Sequence, residues 1–468
     1  MYTHNNLSTV INMTIIQAEI ALLPDGWQQN IQVEIGDDGR IAEVKQDVTS
    51  SVVDAHVRCL LPAPVNIHSH AFQRAMAGLT ERRGNNPQDS FWTWRELMYR
   101  FLDQLTPDHV EAIAAMVQME MLEAGYATNV EFHYLHHAPD GTRYENRAEM
   151  AQRIVAAASH SGIGLVLLPV HYQFGGCDGR ELTRGQIRFR NNPDEFAMLC
   201  GDVQSMLTRL TPDAGFGVAP HSLRAVAKDS FAQTRALAAG GPFHMHLAEQ
   251  TAEVDEVLHH LGNRPVEWVL DNIEPGKDCC FIHCTQMLPH ETSGLAQTGA
   301  VAGLCPITEA SLGDGIFDGV NWLGSGGQIA IGSDSNIRIS LSEELRSLEY
   351  SQRLRDRTRA ALATSTLSTG RRIFEATVLG GAQAAGRQTG KIAPGFWADL
   401  TALDHIGPET GDLQGDVILD SFIFAGDDRL VQEVWSAGRH VVSGGRHIAR
   451  EHISRAYQGV LASLRDRL

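Results

Sequence analysis

The stretch Leu61–His70, LPAPVNIHSH, decides the fold: it is an apolar run that ends in two histidines two positions apart. Such a run is typical of a buried parallel strand, whose carboxyl end passes from core packing to functional side chains. Alternate residues of a strand point to the same side, so the imidazoles of His68 and His70 can face one metal ion. Alone, the pattern also fits two unrelated histidines at a strand end, and the rest of the chain has to decide.

Composition limits what the chain can be. Its 468 residues, 43% of them hydrophobic, are enough for one large domain and a smaller companion. A net charge of -18 argues against nucleic acid or an anionic membrane as partner, because both need a basic surface. The apolar runs are too short to span a bilayer. The seven cysteines form no disulfide pattern and no signal segment is recognisable, so we expect a cytoplasmic location.

The construction of the first strand recurs along the chain. Helix-like segments precede further apolar stretches, which are ATNVEFHY, GIGLVLLPVHY, GFGVAPHS, PFHMHLAE, CCFIHCTQ, AVAGLCP and QIAIGSDS. A helix is predicted from the Thr106 cap and Pro107 to Glu123. Eight strands alternating with helices predict an α/β fold of the (β/α)8 TIM-barrel type. A doubly wound open sheet, the second choice, needs a glycine-rich turn after its first strand, and the sequence has none there.

The two ends of the chain have a different texture. From Met13 to Val53, and again after residue 390, apolar and polar residues alternate between glycine turns, as in antiparallel strands. We expect a smaller discontinuous β-sandwich domain formed by residues 1–60 and 391–468, with a terminal helix, beside a catalytic barrel of residues 61–390. Residues 71–105 show only weak periodicity and are predicted to be a long functional loop, which could close over a substrate.

The predicted strand ends carry chemistry. In a barrel of this type the carboxyl ends of all strands meet at one mouth. They would bring together His68, His70, His221, His246, Glu249, His283 and Asp334. Histidines with an aspartate suit Zn²⁺ and a water molecule, although imidazole and carboxylate ligands also accept Fe²⁺ or Mn²⁺. The sequence therefore predicts a divalent metal site.

At this point the motifs show a family resemblance. PAPVNIHSH, HMHLAE, the lone histidine of FIHC, GSDSN and KIAPGFWADL resemble the amidohydrolase superfamily. Within it, the chain is similar to the formimidoylglutamate deiminases of histidine degradation, through NIHSHAFQRAMAGLTE, FWTWRELMYR, EFHYLHH, APHSLRAV and FHMHLAEQ. That resemblance implies hydrolysis of N-formimino-L-glutamate to N-formyl-L-glutamate and ammonia.

The resemblance also implies roles for individual residues. The metal ligands would be His68, His70, His246 and Asp334, while Glu249 and His283 handle protons together with Asp334. Family members with two metals bridge them by a lysine at the end of the fourth strand. GFGVAPHS has none, and Lys228 lies beyond it in what looks like the next helix, so one metal is expected. Glu249 would protonate the departing amine. Whether Asp334 or His283 is the general base stays open.

The substrate implied by the resemblance is a small acidic molecule with two carboxylates. Arginine suits such groups because its planar fork donates two parallel hydrogen bonds. The motif match gives five substrate-binding candidates, Gln73, Arg95, Tyr134, His221 and Arg224. Arg82 or Arg83 could take the place of Arg95. A homodimer is also expected.

Two other functions remain open on the sequence. A deaminase of a purine, pterin or triazine ring from the same superfamily would share the metal residues and differ at Arg95, Tyr134 and Arg224. A non-catalytic scaffold would keep the barrel and lose the chemistry. The complete set of predicted ligands and proton-transfer residues argues against the scaffold.

Overall fold

A computed structural model describes residues 13–48, 52–81, 91–404 and 413–465. Arg82 and Arg83, together with the outermost residues of both predicted terminal segments, lie outside the described residues. No helix within the described ranges has both the length and the apolar character of a membrane span.

The described strands carry numbers in chain order. They are β1 (Thr14–Leu23), β2 (Gly26–Ile35), β3 (Ile41–Gln46), β4 (Ala55–Pro62), β5 (Val65–Ser69), β6 (Thr128–His133), β7 (Gly164–His171), β8 (Gly215–Phe216), β9 (Ala219–Pro220), β10 (Phe243–Leu247), β11 (Cys279–His283), β12 (Val301–Leu304), β13 (Gln328–Ile331), β14 (Leu400–Leu403), β15 (Val431–Ser436), β16 (Arg439–Ser443) and β17 (Arg446–His447).

The described α-helices are numbered in the same way. They are α1 (Phe91–Leu102), α2 (Pro107–Glu123), α3 (Glu149–Ser161), α4 (Pro193–Leu207), α5 (Ser230–Ala236), α6 (Thr251–Leu261), α7 (Pro265–Asn272), α8 (Pro289–Ala296), α9 (Pro306–Leu312), α10 (Gly319–Gly324), α11 (Leu341–Asp356), α12 (Thr369–Ala384), α13 (Asp416–Asp420) and α14 (Arg450–Arg465). Short 3₁₀ segments span Ala71–Met76, Arg184–Phe189 and Asp428–Leu430, and a π turn spans Ser421–Ala425.

Two parallel sheets form the centre of the molecule. One has the order β5-β6-β7-β8 with β9 also on β7, and the other has the order β10-β11-β12-β13. Single parallel bridges join Ser69 to Asp334 and Val218 to Phe243, so the edges of the two sheets meet on both sides. The chain is thus an α/β protein with parallel strands and intervening helices, as the alternating sequence pattern predicts.

A third sheet unites the two ends of the described chain. It has eight strands in the order β17-β16-β15-β14-β4-β1-β2-β3. Its centre is β4, which pairs in parallel with β1 and antiparallel with β14. The discontinuous origin of this sheet follows the sequence pattern, while its arrangement as a sandwich stays a prediction.

The interpretation of Leu61–His70 as one strand is wrong. Leu61 and Pro62 belong to β4, where they pair with Thr401 and Leu400 of the eight-stranded sheet. The parallel strand β5 starts only at Val65. Pro64 stands between the two strands, and a proline has no N–H to continue a ladder. The stretch therefore connects two sheets, and only its second half leads to the two histidines.

The long loop predicted for residues 71–105 also needs correction. Its described part contains the 3₁₀ segment Ala71–Met76 and the twelve-residue helix α1. Met98 and Phe101 are buried, and Trp94 packs partly against the same core. These positions, three and four apart, form one helical face.

Two local details around the fourth predicted strand differ from expectation, whereas α2 agrees with it. The strand is split into the two short pieces β8 and β9, and Lys228 lies in a turn before α5 rather than in a helix. Helix α2 spans Pro107–Glu123, and the Thr106 hydroxyl accepts from the His109 N–H at 3.3 Å, so its predicted start and end are confirmed.

Ion pairs to the buried carboxylates of Asp213 and Asp399 connect the eight-stranded sheet to the amino ends of the parallel strands. Arg387 donates to Asp399 Oδ2 at 2.8 Å and to Asp213 Oδ2 at 3.0 Å, and Arg439 binds both oxygens of Asp213 at 2.8 Å. Asp213 precedes β8 and Asp399 precedes β14. These four residues are called the amino-end cluster below.

Candidate active site

Four of the predicted site residues meet at the carboxyl ends of β5, β10 and β13. The Nε2 atoms of His68 and His246 lie 3.1 Å apart. The facing ring atoms of His68, His70 and His246 all lie within 4.8 Å of one another. Asp334 Oδ1 is 3.6 Å from His68 Nε2 and 3.4 Å from His70 Nε2. Three imidazoles and a carboxylate thus converge on one small volume.

The orientation and charge of the three histidines fit a divalent cation. His70 Nδ1 lies 3.0 Å from the Phe132 carbonyl, and His246 Nδ1 lies 3.0 Å from the His221 carbonyl. A carbonyl can only accept, so these Nδ1 atoms carry hydrogens and both Nε2 lone pairs point inward. Burial lowers the pKa of His70 to about 3 and that of His68 and His246 well below its usual value. All three are neutral at pH 7, which is the form that binds metals.

Asp334 is held by the backbone of the first parallel strand. Its N–H donates to the His68 carbonyl at 2.9 Å, and its carbonyl accepts from the His70 N–H at 3.0 Å. The residue has a φ of +46°, a backbone conformation that is unusual for residues other than glycine. Burial raises the pKa of its carboxyl to about 7, although His283 opposes this. The loop geometry therefore aims Asp334 at the histidines.

Glu249 and His283 lie beside the group of His68, His70, His246 and Asp334, the candidate ligand cluster. His283 Nε2 is 3.8 Å from both Glu249 Oε1 and Asp334 Oδ2. This buried nitrogen has no hydrogen-bond partner among the described residues. Burial lowers the pKa of His283, but the carboxylates of Glu249, Glu309 and Asp334 outweigh it and raise the pKa to about 10. Glu249, His283 and Asp334 can therefore exchange protons with a molecule placed between them.

The five predicted substrate residues line the same pocket as the ligand cluster. They are Gln73, Arg95, Tyr134, His221 and Arg224, and they share the walls with Glu249, His283 and Asp334. The walls enclose about 590 Å³ of space, part of it open to solvent. Of the predicted site residues that the structure describes, His68 alone does not line the pocket, and its side chain is fully buried.

The polar groups of the pocket are held by direct contacts. Gln73 donates to the Tyr134 hydroxyl at 2.8 Å, and Arg95 Nη2 lies 3.4 Å from the Tyr172 hydroxyl. The His221 ring packs between the rings of Tyr172 and His246, with centroids 4.7 and 4.8 Å away. Arg224 Nε is buried without a hydrogen-bond partner among the described residues. Two arginines thus line the same pocket as the carboxylates of Glu249 and Asp334.

His244 shares a strand with His246 but has another environment. Its Nε2 lies 2.7 Å from the carbonyl of Ala384, so this ring atom is bound to α12. The ring therefore packs below the ligand cluster and does not face the pocket.

Sequence reasoning missed three buried carboxyl groups around the site. Glu309 Oε1 is 3.3 Å from His283 Nδ1, and Glu131 accepts from the Ala71 N–H at 2.7 Å, directly after His70. Asp314 accepts a hydrogen bond from the Gln250 side-chain amide. Burial and the nearby Glu249 raise the pKa of the Asp314 carboxyl. Glu309 follows the seventh parallel strand, so the strand-end rule could have found it. Glu131 lies within β6, where that rule does not apply.

Known protein families match most of this chain. The model of the amidohydrolase family matches residues 59–441, and that of the "Formimidoylglutamate deiminase HutF, N-terminal domain" matches residues 13–55. The chain belongs to the amidohydrolase family.

Three relatives show how far the likeness extends. A formimidoylglutamate deiminase from Pseudomonas aeruginosa is 46% identical over 97% of this chain and 100% of its own. An amidohydrolase structure from Brucella melitensis has a TM-score of 0.92 at 44% identity and covers 96% of this chain and 99% of its own. A zinc-bound adenosine deaminase structure from Xanthomonas campestris has a TM-score of 0.80 at 20% identity, covering 97% and 98%, and shares the fold.

Proposed function

We propose that this chain is a metal-dependent deiminase that hydrolyses N-formimino-L-glutamate to N-formyl-L-glutamate and ammonia in histidine degradation. The observation that carries the proposal is a single pocket holding a cluster of metal-ligand residues, a proton-transfer pair and two arginines. The 46% identical relative, which this chain covers over its full length, bears the name of this activity.

The proposed metal site consists of His68, His70, His246 and Asp334. Neutral imidazoles with inward lone pairs and one carboxylate suit a single Zn²⁺ ion, and Fe²⁺ or Mn²⁺ would also be accepted. A divalent ion held by these residues would lower the pKa of a water molecule, which would make a nucleophile available at neutral pH. A single ion is proposed because the end of β9 carries no lysine and Lys228 is exposed, 5.8 Å from the Trp268 ring.

The protein groups then manage the protons. Asp334 or His283 would take up the proton of the attacking water, since Asp334 Oδ2 and His283 Nε2 lie 3.8 Å apart beside the three histidines. The carbon under attack becomes tetrahedral and must release ammonia, which leaves only after its nitrogen is protonated. Glu249, 3.8 Å from His283 Nε2, delivers that proton.

The pocket walls supply recognition of the substrate. Arg224 and Arg95 would each hold a carboxylate, and Gln73, Tyr134 and His221 would fix its orientation. The carboxylates of Glu249 and Asp334 face the formimino group, which carries a positive charge when protonated. Two arginines suit a substrate with two carboxylates better than an uncharged purine such as guanine, which favours the acidic substrate.

The architecture proposed around the site is a closed barrel. The two bridges that link both edges of the parallel sheets support one (β/α)8 barrel of residues 61–390. The eight-stranded sheet supports a small β-sandwich domain of residues 1–60 and 391–468. We further propose a cytoplasmic homodimer, and sedimentation of the purified protein tests the dimer.

Ammonia release tests the activity. The purified protein, with its metal content measured, is assayed with N-formimino-L-glutamate, guanine and adenosine. We expect release from the first alone and one equivalent of metal. Release from a purine would support the ring-deaminase alternative instead. A metal-free protein that stays inactive after addition of Zn²⁺, Fe²⁺ or Mn²⁺ would support the scaffold.

A further inference from the structure

The two nitrogens of His283 have different surroundings. Nε2 faces the pocket, 3.8 Å from Glu249 and from Asp334. Nδ1 faces away from it, 3.3 Å from Glu309 Oε1. An imidazole can exchange protons at either nitrogen, so the contact made by Nδ1 decides which one serves the reaction.

Glu309 is itself firmly anchored. Its Oε1 also accepts from the backbone N–H of Cys305 at 2.8 Å, and the side chain is buried on α9. On the other side, His283 ends β11 with a φ of +73°, followed by Cys284 with a φ of +53°. Both values are unusual for residues with a side chain, so the end of the strand is bent where the ring meets Glu309.

We propose that Glu309 is a positioning residue for the reaction. A carboxylate only accepts, so Nδ1 keeps its hydrogen and Nε2 is the position at which His283 gains and loses a proton. The ring also cannot turn away from Glu249 and Asp334 without breaking this contact. The inference rests on the proposed function, because it assumes that His283 handles a proton of the substrate or of water.

A metal bound by Glu309 is the competing explanation. His283, Cys305 and Glu309 are close enough together to hold an ion. However, Glu309 Oε1 is already engaged by an N–H group on each side. One metal per chain in wild-type protein is therefore expected, and two would overturn the proposal.

The test compares Glu309→Ala, Glu309→Gln and Glu309→Asp in the metal-loaded enzyme. Alanine removes the acceptor, and we expect kcat to fall about a hundredfold with KM within about twofold, the upper range for residues that orient another group. Glutamine keeps an acceptor, because the Cys305 N–H selects the orientation that leaves the amide oxygen on His283. We expect Glu309→Gln to stay within about tenfold of wild type.

A matched control separates positioning from stability. Glu349 is also fully buried and accepts backbone N–H groups, from Ala361 at 2.8 Å and Leu362 at 3.0 Å, but it lies outside the pocket. Glu349→Ala should lower Tm while leaving kcat unchanged. Equal losses in Glu309→Gln and Glu309→Ala would overturn the proposal in favour of a charge effect. A kcat loss that follows Tm or metal content would overturn it in favour of a structural role.

Two further measurements keep the result interpretable. Glu309→Asp keeps the charge but is one methylene too short, so it replaces Glu309→Ala if that variant does not fold, with the same expected loss. Solid-state ¹⁵N spectra of histidine-labelled protein, assigned with His283→Gln, report the hydrogen on Nδ1 without any substrate. Inactivity of wild type toward formiminoglutamate would refute the proposed function alone, whereas a hydrogen-free Nδ1 would refute the role of Glu309.

Discussion

Buried polar groups collect at both ends of the parallel strands, and the two collections differ in one respect. In the amino-end cluster, Arg387, Arg439, Asp213 and Asp399 pair with opposite charges at 2.8–3.0 Å. At the carboxyl ends, the carboxyl-end cluster of His68, His70, His246, Asp334, Glu249 and His283 has neutral rings facing one another and a histidine nitrogen without a partner. Paired charges hold the fold together, while the unpaired polar groups are available to a ligand.

Two aspartates express this difference in their pKa values. Burial raises the pKa of both, but Arg439 and Arg387 reverse the effect at Asp213 and lower its pKa to about 2. At Asp334, burial and the carboxylates of Glu249 and Glu309 outweigh the opposing effect of His283 and raise the pKa to about 7. A buried aspartate paired with arginines, such as Asp213, therefore belongs to a structural site. A buried aspartate without such an ion pair, such as Asp334, belongs to a site suited to chemistry.

The largest expected effect is in the carboxyl-end cluster. Glu249→Gln keeps the shape of the side chain but cannot deliver a proton to the leaving nitrogen. We expect kcat to fall about ten-thousandfold, the upper end of what general acid–base catalysis contributes. Metal content and Tm should stay near wild type. Loss of the metal in this variant would show that Glu249 is a metal ligand and that its assignment as the proton donor is wrong.

The amino-end cluster should respond in the opposite way. Arg387→Ala leaves Asp399 and part of Asp213 buried without a cation, so we expect the free energy of unfolding to fall by about 3–5 kcal/mol. The kcat of the remaining folded enzyme should not change. Arg429→Ala is the control, because it breaks an exposed ion pair with Asp427 and should leave the free energy of unfolding nearly unchanged. A fall in kcat at unchanged stability would show that the amino-end cluster affects the reaction and not the stability of the fold.

The next effect is on substrate binding. Arg224→Ala should raise KM for N-formimino-L-glutamate about tenfold to a hundredfold, since a hydrogen bond to a charged group contributes about 1.5–3 kcal/mol. Its kcat should change little. Arg264→Ala, which breaks a contact with Glu291 outside the pocket, should leave KM unchanged. An unaltered KM in Arg224→Ala would remove this arginine from carboxylate recognition.

The two clusters also differ in how far the sequence could predict them. The positions at the carboxyl ends follow a local rule, because polar residues after an apolar run are visible one strand at a time. His68, His246 and Asp334 were found in this way, and the structure brings them together. Glu309 was missed because its strand was taken to end without a functional group, although it lies five residues beyond β12.

The amino-end cluster has no local pattern. Arg387 and Asp213 are 174 residues apart, and each looks like a surface charge in its own segment. The same limit explains the division of Leu61–His70 between two sheets, since the partners of Leu61 and Pro62 lie near residue 400. Helix α1 was a different failure, because its apolar spacing was present but diluted by polar neighbours.

The smallest expected effect is the pH dependence of the stability that Asp213 contributes to the amino-end cluster. Since the folded state lowers the pKa of Asp213 from 3.8 to about 2, the unfolded chain binds a proton there first as pH falls. The stabilisation, about 2 kcal/mol, is therefore complete above about pH 5 and lost between about pH 4 and 2. Denaturant titrations of wild type and Asp213→Asn from pH 7 to 2 measure it. Their stability difference should shrink over that acidic interval, and a constant difference would mean that Asp213 stabilises by packing and not by its charge.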